Sequence, residues 1–418
     1  MKHAIRRAGM FGFGLAFLGA AGASACANST DSFSAQPAET GDASVPPGDE
    51  TGSDAGSDGA VPVDADAAPR ECSTFGFCPT VLPDGSSTLT GVWGDGTGVV
   101  WAVTAEGSVL RWDGTAWHVH TSALGALGKI WGSSATDIWI AGERGLLHGT
   151  GASSTALTFA PSPLPEDGVT VSSIWGTSGT DVWAVGSVLD VDGFTTLPRA
   201  YHYAAGNAGP GWTLDPISTE PDLATITNVW GSPESGLWFV ALRPMAEMPW
   251  VLEPVVLRKA SGAAAFTAEA LPADPDESAP SNRLQSVVGG AVADTTGTAW
   301  VLGHSSVPGA WKGTTTDHGK TFTWTYHHDG DLTDPSLTAF AGSGEGAFWA
   351  VGEYGRARHV QGAQWVPTAM TTTKFPITEN FYGVWCHGTT EVWVVGHGMA
   401  LRYDPTKATV DHGNGGAQ

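Results

Sequence analysis

The stretch Trp-Gly-Thr-Ser-Gly-Thr-Asp-Val-Trp-Ala-Val-Gly, residues 175–186, is the clearest copy of a pattern that returns about every 40–60 residues along this chain. Each copy has an apolar residue and usually Trp-Gly, then several variable residues, then Trp with two or three apolar residues. Seven copies begin at Val92, Ile130, Ile174, Val229, Val287, Phe340 and Val384. Repeats of this length, built from short apolar runs and glycine turns, predict the blades of a β-propeller.

The first copy shows the internal plan of the predicted blade. Four short runs of strand-forming residues alternate with turns, two of which contain Gly107 and Gly114. Glycine at such turns is typical of hairpins between antiparallel strands. The predicted strands are Leu89–Gly94, Val99–Thr104, Ser108–Trp112 and Trp117–Thr121. We therefore predict an all-β, seven-bladed propeller of four-stranded antiparallel blades, with six blades as the alternative if the fifth and sixth copies form one unit.

Three blades are predicted to be longer than the others. Their extra residues stand near 189–199, 243–254 and 289–297. Insertions of this kind usually lie on the rim of a face, where propellers bind their ligands. We expect the contacts with a binding partner to come from these loops. The candidate contact residues are Trp250, Arg199 and Arg243.

The composition of the chain limits its partners. It has 418 residues and a formal net charge of −23 at pH 7. Binding to nucleic acid, or adsorption to an anionic membrane surface, requires clustered Lys and Arg. The acidic balance therefore argues against both kinds of partner.

Twelve of the 19 Trp residues occupy the two repeated positions of the pattern. Large flat side chains fill the space between twisted sheets well, so we expect these residues to pack blade against blade rather than to bind sugar. Cys386 follows Trp385 where the other Trp copies have Gly. We expect it to be a buried structural thiol.

Residues 1–25 are predicted to be a signal peptide. Three basic residues precede an apolar run from Ala8 to Ala23, which is too short to span a membrane. Ala23-Ser24-Ala25-Cys26 resembles a bacterial lipobox, in which Cys26 is lipidated, and it also fits an ordinary A-x-A cleavage site. We expect a lipoprotein of the outer membrane or cell surface that touches the membrane through its lipid only, with simple secretion as the alternative.

The rest of the chain divides by composition. Residues 26–70 are acidic and rich in Ser, Ala, Gly and Pro, which predicts a disordered tether. We predict that residues 71–88 form a cysteine loop and a ring-closing strand, that residues 89–405 form the propeller, and that residues 406–418 form a flexible tail.

The segment 71–88 is predicted to close the ring. The last repeat ends soon after Tyr403, so its outer edge needs a strand from elsewhere. We expect the stretch around Phe75 to Leu82 to supply it. We expect Cys72 and Cys78 to form a disulfide in an oxidising compartment and thereby to pin this closure.

Residues 315–322, Thr-Thr-Asp-His-Gly-Lys-Thr-Phe, resemble the Asp-box hairpin S/T-x-D-x-G-x-T-W of sialidases and sortilin-like receptors. Thr315, Asp317, Gly319 and Thr321 match the motif, and Phe322 stands in place of its Trp. The resemblance implies a structural turn in which Asp317 accepts backbone N–H bonds and Gly319 has a positive φ. The arginines, Tyr and acids of a sialidase site are not recognisable in the sequence.

Other polar groups do not assemble into a metal site in the sequence. Asp137, Asp181 and Glu391 each stand two residues before the second Trp of their copy, which predicts turn caps. Asp190-Val-Asp192-Gly193 could begin a calcium loop, but the bidentate Glu of an EF-hand is missing. The histidines, such as the pairs 118/120 and 327/328, have no recognisable third ligand. We predict no metal site and no cofactor.

The repeat over roughly residues 89–404 resembles that of exported and lipid-anchored propellers of myxobacteria and their relatives, with residues 175–186 as its clearest example. The resemblance implies a propeller and an exported location, and it brings no established activity. Kelch, sialidase-type and photosystem II assembly-factor propellers are more distant analogies at the level of the fold.

The sequence shows no catalytic constellation, so we predict a non-catalytic, monomeric propeller of the cell envelope that binds a protein or a glycan through one face. Two alternatives stay open. A carbohydrate-active enzyme, either a glycosidase or a lyase, needs acidic groups or an Arg cluster converging in the central channel. A structural subunit of an envelope assembly needs an apolar patch larger than a few hundred Å² on its outer rim.

Overall fold

The computed structural model describes residues 71–409 except 207–208, 273–285, 294–297, 305–307, 329–334, 343–347, 362–363, 369, 371 and 373–376. These residues belong to one compact unit, Asp66–Gln418. The predicted signal peptide, Cys26, the predicted tether and the end of the predicted tail lie outside the described residues.

The described residues form seven four-stranded antiparallel sheets arranged as propeller blades, which confirms the predicted seven-bladed fold. The first strand in the chain is β1 (Phe77–Thr80). Blade one contains β2 (Leu89–Gly94), β3 (Val100–Thr104), β4 (Val109–Trp112) and β5 (Trp117–Thr121). Blade two contains β6 (Leu127–Ser134), β7 (Asp137–Gly142), β8 (Gly145–Thr150) and β9 (Thr158–Pro161). Blade three contains β10 (Thr170–Ser178), β11 (Asp181–Leu189), β12 (Thr196–Gly206) and β13 (Gly209–Leu214).

The remaining blades follow the same order. Blade four contains β14 (Thr225–Ser232), β15 (Gly236–Pro244), β16 (Leu252–Lys259) and β17 (Thr267–Ala268). Blade five contains β18 (Ser286–Ala293), β19 (Thr298–His304), β20 (Pro308–Thr314) and β21 (Thr323–His328). Blade six contains β22 (Leu337–Gly342), β23 (Phe348–Gly352), β24 (Ala357–Gln361) and β25 (Gln364–Pro367). Blade seven contains β26 (Phe381–His387), β27 (Glu391–Gly396), β28 (Met399–Tyr403) and the N-terminal β1.

We call the four strands of each blade A to D from the channel outward. The A strand of each blade contacts the A strand of the next, and β26 contacts β2, so the ring is closed. Three short 3-10 helices lie in the connections, at Pro216–Thr219, Glu353–Gly355 and Pro405–Lys407. The described part of the chain contains no helix that is long and apolar enough to cross a membrane.

The ring is closed by a strand from the N-terminal side of the repeats. β1 pairs antiparallel with β28, with Phe77 opposite Tyr403. Phe77 is fully buried, and its backbone N–H donates to the Ser73 hydroxyl at 3.0 Å. The sulfurs of Cys72 and Cys78 lie 2.09 Å apart as a disulfide beside this strand. Two ends of the chain distant in sequence therefore complete one sheet, which removes the open edge.

The B-strand tryptophans form the packing between the blades. All seven are 8% exposed or less. They are Trp101, Trp139, Trp183, Trp238, Trp300, Trp349 and Trp393. Because the seven apolar clusters join residues of adjacent blades, these indoles hold the sheets together.

Every A strand carries a β-bulge near its start. In two blades the extra residue is a Thr whose hydroxyl donates to the next blade: Thr90 to the Leu127 carbonyl at 2.8 Å, and Thr338 to the Phe381 carbonyl at 2.6 Å. A bulge leaves one residue unpaired and bends the strand. Here it also supplies a hydrogen bond between neighbouring blades.

The bulge corrects the sequence alignment of the fifth copy. The residue opposite the B-strand Trp stands four positions after the start of the bulge, as Trp93 does after Leu89. In blade five the bulge begins at Val287, and Ala291 pairs with Trp300. The start of the fifth copy, placed at Val287 from the sequence, is therefore wrong by three residues, because Gly290 is the residue that corresponds to Val92.

Candidate functional site

The strand order gives the ring two faces. The face that carries the A–B and C–D turns is called the AB face. The opposite face, which carries the B–C turns and the connections between blades, is called the BC face. The long hairpins of blades three and four, after β11 and β15, are B–C turns and share the BC face. The insertion predicted near 289–297 overlaps the end of β18, which points to the AB face, and its residues 294–297 lie outside the described residues. Because successive turns alternate between faces, the three predicted contact loops cannot form one surface.

Seven large apolar side chains are exposed on the two BC-face hairpins. Phe194 and Trp250 are 92% and 80% exposed. The complete set is Leu189, Val191, Phe194, Met248, Trp250, Val251 and Leu252. Elsewhere in the described residues, exposed large apolar side chains stand apart on different elements, as Val81 and Val119 do. We call this set the apolar hairpin surface.

The blade-four hairpin is held by its own hydrogen bonds. The backbone N–H of Met245 donates to the Val251 carbonyl at 2.9 Å, and that of Val251 donates to the Met248 carbonyl at 2.8 Å. Arg243 pairs with Glu253 across the hairpin at 3.0 Å. The Arg243 side chain is 46% exposed. The hairpin thus presents Trp250 beside a partly exposed ion pair.

The blade-three hairpin is held by two aspartates. The Asp192 carboxylate accepts the backbone N–H groups of Phe194 and Thr195, each at 2.8 Å, and Asp190 accepts that of Val191 at 2.7 Å. Hydrogen bonds from Thr195 and Phe194 lower the pKa of Asp192. These carboxylates stabilise the turn that exposes Phe194. The described residues contain no group of three His, Cys, Asp or Glu side chains suited to a metal ion.

Arg199 has a different role from Arg243. Its guanidinium forms two hydrogen bonds with the Glu166 carboxylate, one of them 2.7 Å long, and its side chain is only 11% exposed. The Tyr201 hydroxyl donates to the same carboxylate at 2.7 Å. The hydrogen bond from Arg199 is the main cause of a lowered Glu166 pKa. Arg199 therefore joins the blade-three hairpin to the connection before β10, instead of facing a partner.

In every blade, the C-strand residue opposite the buried B-strand Trp is basic or has an imidazole. The C-strand residue paired with the B-strand Trp is Arg111, His148, His202, Arg258, Lys312, His359 or Arg402. The His148 ring stacks on Trp139 with centroids 3.7 Å apart, and the Arg258 guanidinium lies 5.1 Å from the Trp238 ring centre. Such contacts stabilise the indole faces. The sequence contains these seven residues, but the B–C loops differ in length. The number of residues between each of them and its Trp therefore varies.

Two of these histidines belong to hydrogen-bonded chains. Asp137 accepts from the Ser133 hydroxyl and bonds to His148 Nε2 at 2.5 Å. Asp181 is placed in the same way between Thr177 and His202. The hydroxyl donates to the carboxylate and not to the imidazole, which differs from a nucleophilic Ser-His-Asp triad. Burial opposes ionisation of Asp137, but the bonds from His148 and Ser133 lower its pKa. The arrangement ties each A–B turn to its C strand.

Glu391 stands at the same turn position in blade seven, and its pKa is raised above the ordinary 4.5 by burial. A carboxyl whose pKa is raised on folding stabilises the fold below its unfolded pKa, and this contribution is lost as pH rises through the folded pKa. We expect Glu391→Gln to increase the melting temperature at pH 7 and to leave it unchanged at about pH 3. Thermal unfolding followed by circular dichroism measures both. A lower melting temperature for Glu391→Gln at pH 7 contradicts this account.

The AB-face end of the central channel is lined by indoles. A cavity of about 310 Å³ there is lined by residues from all seven blades. Five A-strand tryptophans reach it: Trp93, Trp131, Trp175, Trp230 and Trp385. Four of them pack against the Gly of the Trp-Gly phrase in the next blade, and Trp230 packs against Gly290, which precedes the corresponding phrase position in blade five. A Cβ placed on Gly94 would lie 2.6 Å from the Trp385 ring, and one on Gly290 would lie 2.3 Å from the Trp230 ring. In blades one to four, the repeated Gly is therefore required by an indole of the preceding blade.

Cys386 departs from this rule for a structural reason. It follows Trp385 at the position that is Gly in the other Trp copies, and it is buried. The preceding blade has Ala341, not Trp, at the A-strand position opposite Trp349. Since no indole arrives from blade six, the position in blade seven accepts a larger residue than Gly.

The channel does not bring carboxylates together among the described residues. The two adjoining cavities along the axis are lined by apolar groups, hydroxyls, one amide and one lysine. A glycosidase of the usual kind needs two carboxyl groups on either side of the scissile bond. The described lining supplies neither of them.

The Asp-box-like residues form a turn between β20 and β21 on the AB face. Asp317 accepts the backbone N–H groups of Lys320 and Thr321 at 3.0 and 2.9 Å, and Gly319 has a φ of +80°. Hydrogen bonds from Thr315 and Thr321 hold the pKa of Asp317 well below its usual range. The Gly319 and Lys320 carbonyls accept hydrogen bonds from Arg258 of blade four. The turn therefore connects two blades.

The fold defines a seven-bladed β-propeller, and the comparisons with known proteins agree with that class. No family model matches the chain, and no curated protein does. One similar solved structure is the extracellular domain of BT4673 from B. thetaiotaomicron, with 13% identity, a TM-score of 0.53, and coverage of 79% of this chain and 40% of that chain. The chain thus spans about two fifths of the length of that relative.

Two other similar structures are closer to this chain in length. YCF48 from Cyanidioschyzon merolae has 15% identity and a TM-score of 0.54, with 79% of this chain and 99% of that chain covered. Virginiamycin B lyase from Staphylococcus aureus has 10% identity and a TM-score of 0.54, with 78% and 98% covered. At such identities the likeness shows the fold alone.

Proposed function

We propose that this protein is an exported, non-catalytic binding module that takes a protein partner on the apolar hairpin surface. The observation that carries the proposal is the concentration of seven exposed apolar side chains on two neighbouring hairpins of one face. Exposed apolar patches of a folded protein mark interaction sites, and aromatic residues often dominate their binding energy. Trp250 and Phe194 are the expected anchors.

The chemistry of the surface favours a protein over a glycan. Leu189, Val191 and Met248 offer aliphatic area, which suits apolar side chains of a partner. A glycan is the second candidate because the exposed Trp250 indole could stack on a sugar ring. One propeller of the same fold, YCF48, has a solved structure with a D1 peptide bound. A structural subunit of an envelope assembly would use the same surface for a permanent contact.

Export is part of the proposal. The predicted signal peptide, with lipidation of Cys26 or simple secretion after cleavage, would place the propeller in an oxidising compartment. The Cys72–Cys78 disulfide suits such a compartment, because disulfides persist outside the reducing cytosol.

Replacing three anchors on the apolar hairpin surface is expected to abolish partner binding. The triple variant Val191→Ser, Phe194→Ser and Trp250→Ser removes exposed area without touching the core. The full chain, with its signal sequence and an affinity tag, is used to capture partners from envelope extract and is also applied to a polysaccharide array. We expect a protein captured by the parent chain and at least a tenfold loss with the variant, as anchors of this kind contribute about 2 kcal/mol or more each.

The matched control replaces exposed apolar residues elsewhere, with Val81→Ser, Val119→Ser and Tyr354→Asn. Asn is chosen at 354 because Tyr354 has a φ of +51°, which Asn tolerates. The control should capture the partner as well as the parent does. Equal capture by both triple variants would overturn the assignment to this surface, and saturable sugar binding lost with Trp250→Ser would favour the glycan.

A further inference from the structure

The central channel continues beyond the indoles into a second cavity. This cavity has a volume of about 260 Å³ and is lined by A-strand residues of blades two to six. It shares Ile130, Asn228 and Phe340 with the indole-lined cavity, so the two adjoin along the axis. Small-molecule pockets have volumes of about 300–1,000 Å³, a range that the joined cavities reach.

Lys129 lines this second cavity. In the seven A strands, which are fully described by their backbone, it is the only Lys, Arg, Asp or Glu residue. The corresponding residues in the adjacent blades are Gly91 and Ser173, which are uncharged. The shape and packing of an A strand therefore do not require a cation at this position.

The Lys129 ammonium has no anionic partner in the described part of the chain. Its side chain is exposed and lines the channel cavity, and partial desolvation by the surrounding blades lowers its pKa. No described residue forms a hydrogen bond or an ion pair with it. Because the side chain is exposed, an anion entering the channel can reach the ammonium, and it would offset the hydration that the surrounding blades remove.

The neighbouring polar groups limit the number of contacts that a ligand can make. The Ser173 hydroxyl donates to Asn228 Oδ1 at 3.2 Å and accepts the Val229 N–H at 3.3 Å. The Thr338 hydroxyl donates to the Phe381 carbonyl. Among the described lining residues, the Ser172 hydroxyl has no such bond. One ammonium with one hydroxyl suits a singly charged head group.

We propose that the channel binds a small amphipathic carboxylate, with its carboxylate paired to Lys129 and its flat apolar part against the indoles of the AB-face end. Ammonium–carboxylate hydrogen bonds are among the stronger polar contacts, and half-buried indoles offer apolar faces to a flat ligand. The site is separate from the apolar hairpin surface, so it goes beyond the protein-binding role. Each can fail without the other.

The test compares a carboxylate with a neutral molecule of the same shape. Full-length protein is titrated with sodium cinnamate and with cinnamamide, and binding is followed by tryptophan fluorescence and calorimetry. We expect saturable binding of cinnamate, with cinnamamide at least about tenfold weaker. Lys129→Met should weaken cinnamate binding by about 10- to 100-fold and leave the affinity for cinnamamide unchanged.

Lys320→Met is the matched control, because Lys320 is exposed on the Asp-box-like turn and the substitution removes the same charge. It should bind cinnamate as the parent does. The proposal is overturned if cinnamate shows no saturable binding, if cinnamamide binds equally well, or if Lys129→Met binds cinnamate as tightly as Lys320→Met. If Lys129→Met does not fold, the comparison of the two probes on the parent protein decides.

Discussion

Arg258→Met is expected to lower the free energy of unfolding by about 3–5 kcal/mol, because it leaves a buried carboxylate without its partner. Arg258 is 5% exposed, and its Nε donates to Glu269 Oε1 at 2.6 Å. Its guanidinium also donates to the Gly319 and Lys320 carbonyls at 2.5 and 2.6 Å, and it lies over Trp238. The substitution thus removes a connection between blades four and five. Urea unfolding followed by tryptophan fluorescence measures the loss.

Two further variants show whether burial is the cause. Arg243→Met breaks the partly exposed pair with Glu253 and should cost less than about 1 kcal/mol. Adding Glu269→Gln to Arg258→Met should recover part of the lost stability, because the unpaired carboxylate is removed. Trp324 Nε1, which donates to Glu269 Oε2 at 3.0 Å, would keep an oxygen acceptor. Equal losses for Arg258→Met and Arg243→Met would contradict the assigned role of Arg258.

Ala341→Trp is expected to destabilise the protein by about 1–3 kcal/mol, the usual range for an overpacked core. In five other blades the A-strand indole rests on the next blade, where a Cβ at Gly94 would lie 2.6 Å from the Trp385 ring. An indole at position 341 would meet Cys386 at the corresponding place. We expect the double variant Ala341→Trp, Cys386→Gly to be more stable than Ala341→Trp alone. A double-mutant cycle in urea measures this coupling.

The control for the cycle is Cys386→Gly alone. Cys386 is buried without an indole above it from blade six, so this change should cost only the lost packing of a small side chain. Strict additivity of the two substitutions would show that the indole and the thiol do not compete for space. It would also remove the explanation given for the missing Gly in blade seven.

The architecture follows from the sequence because its signals are local and repeated. Strands Leu89–Gly94 and Trp117–Thr121 were predicted with the bounds that the structure has. Short apolar runs, glycine turns and the two Trp positions lie within a single blade, and seven copies repeat the same signal. The open edge after Tyr403 likewise pointed to a strand from the N-terminal side, since a propeller needs four strands in each blade.

The candidate sites depend on groups that the sequence keeps apart. Trp250 was identified as a contact candidate from its loop, but its place on the same face as Phe194 depends on the order of the strands. Arg199 was grouped with Arg243, although Glu166, in a different connection, pairs with it. Lys129 was not singled out, because an inner-strand lysine has meaning only when the channel around it is known.

The sequence alone therefore determined the class of fold, because the hydrogen-bonding and packing pattern of a blade lies within about 50 residues and repeats along the chain, and it predicted the closing strand from the strand that the last repeat lacks. The structure decided for seven blades over six. Only the tertiary structure decided why Gly follows Trp, which charges are paired, and which side chains face the channel or a common surface. Those properties arise between blades. They depend on contacts between residues that are far apart along the chain, and the sequence does not show which of these residues meet.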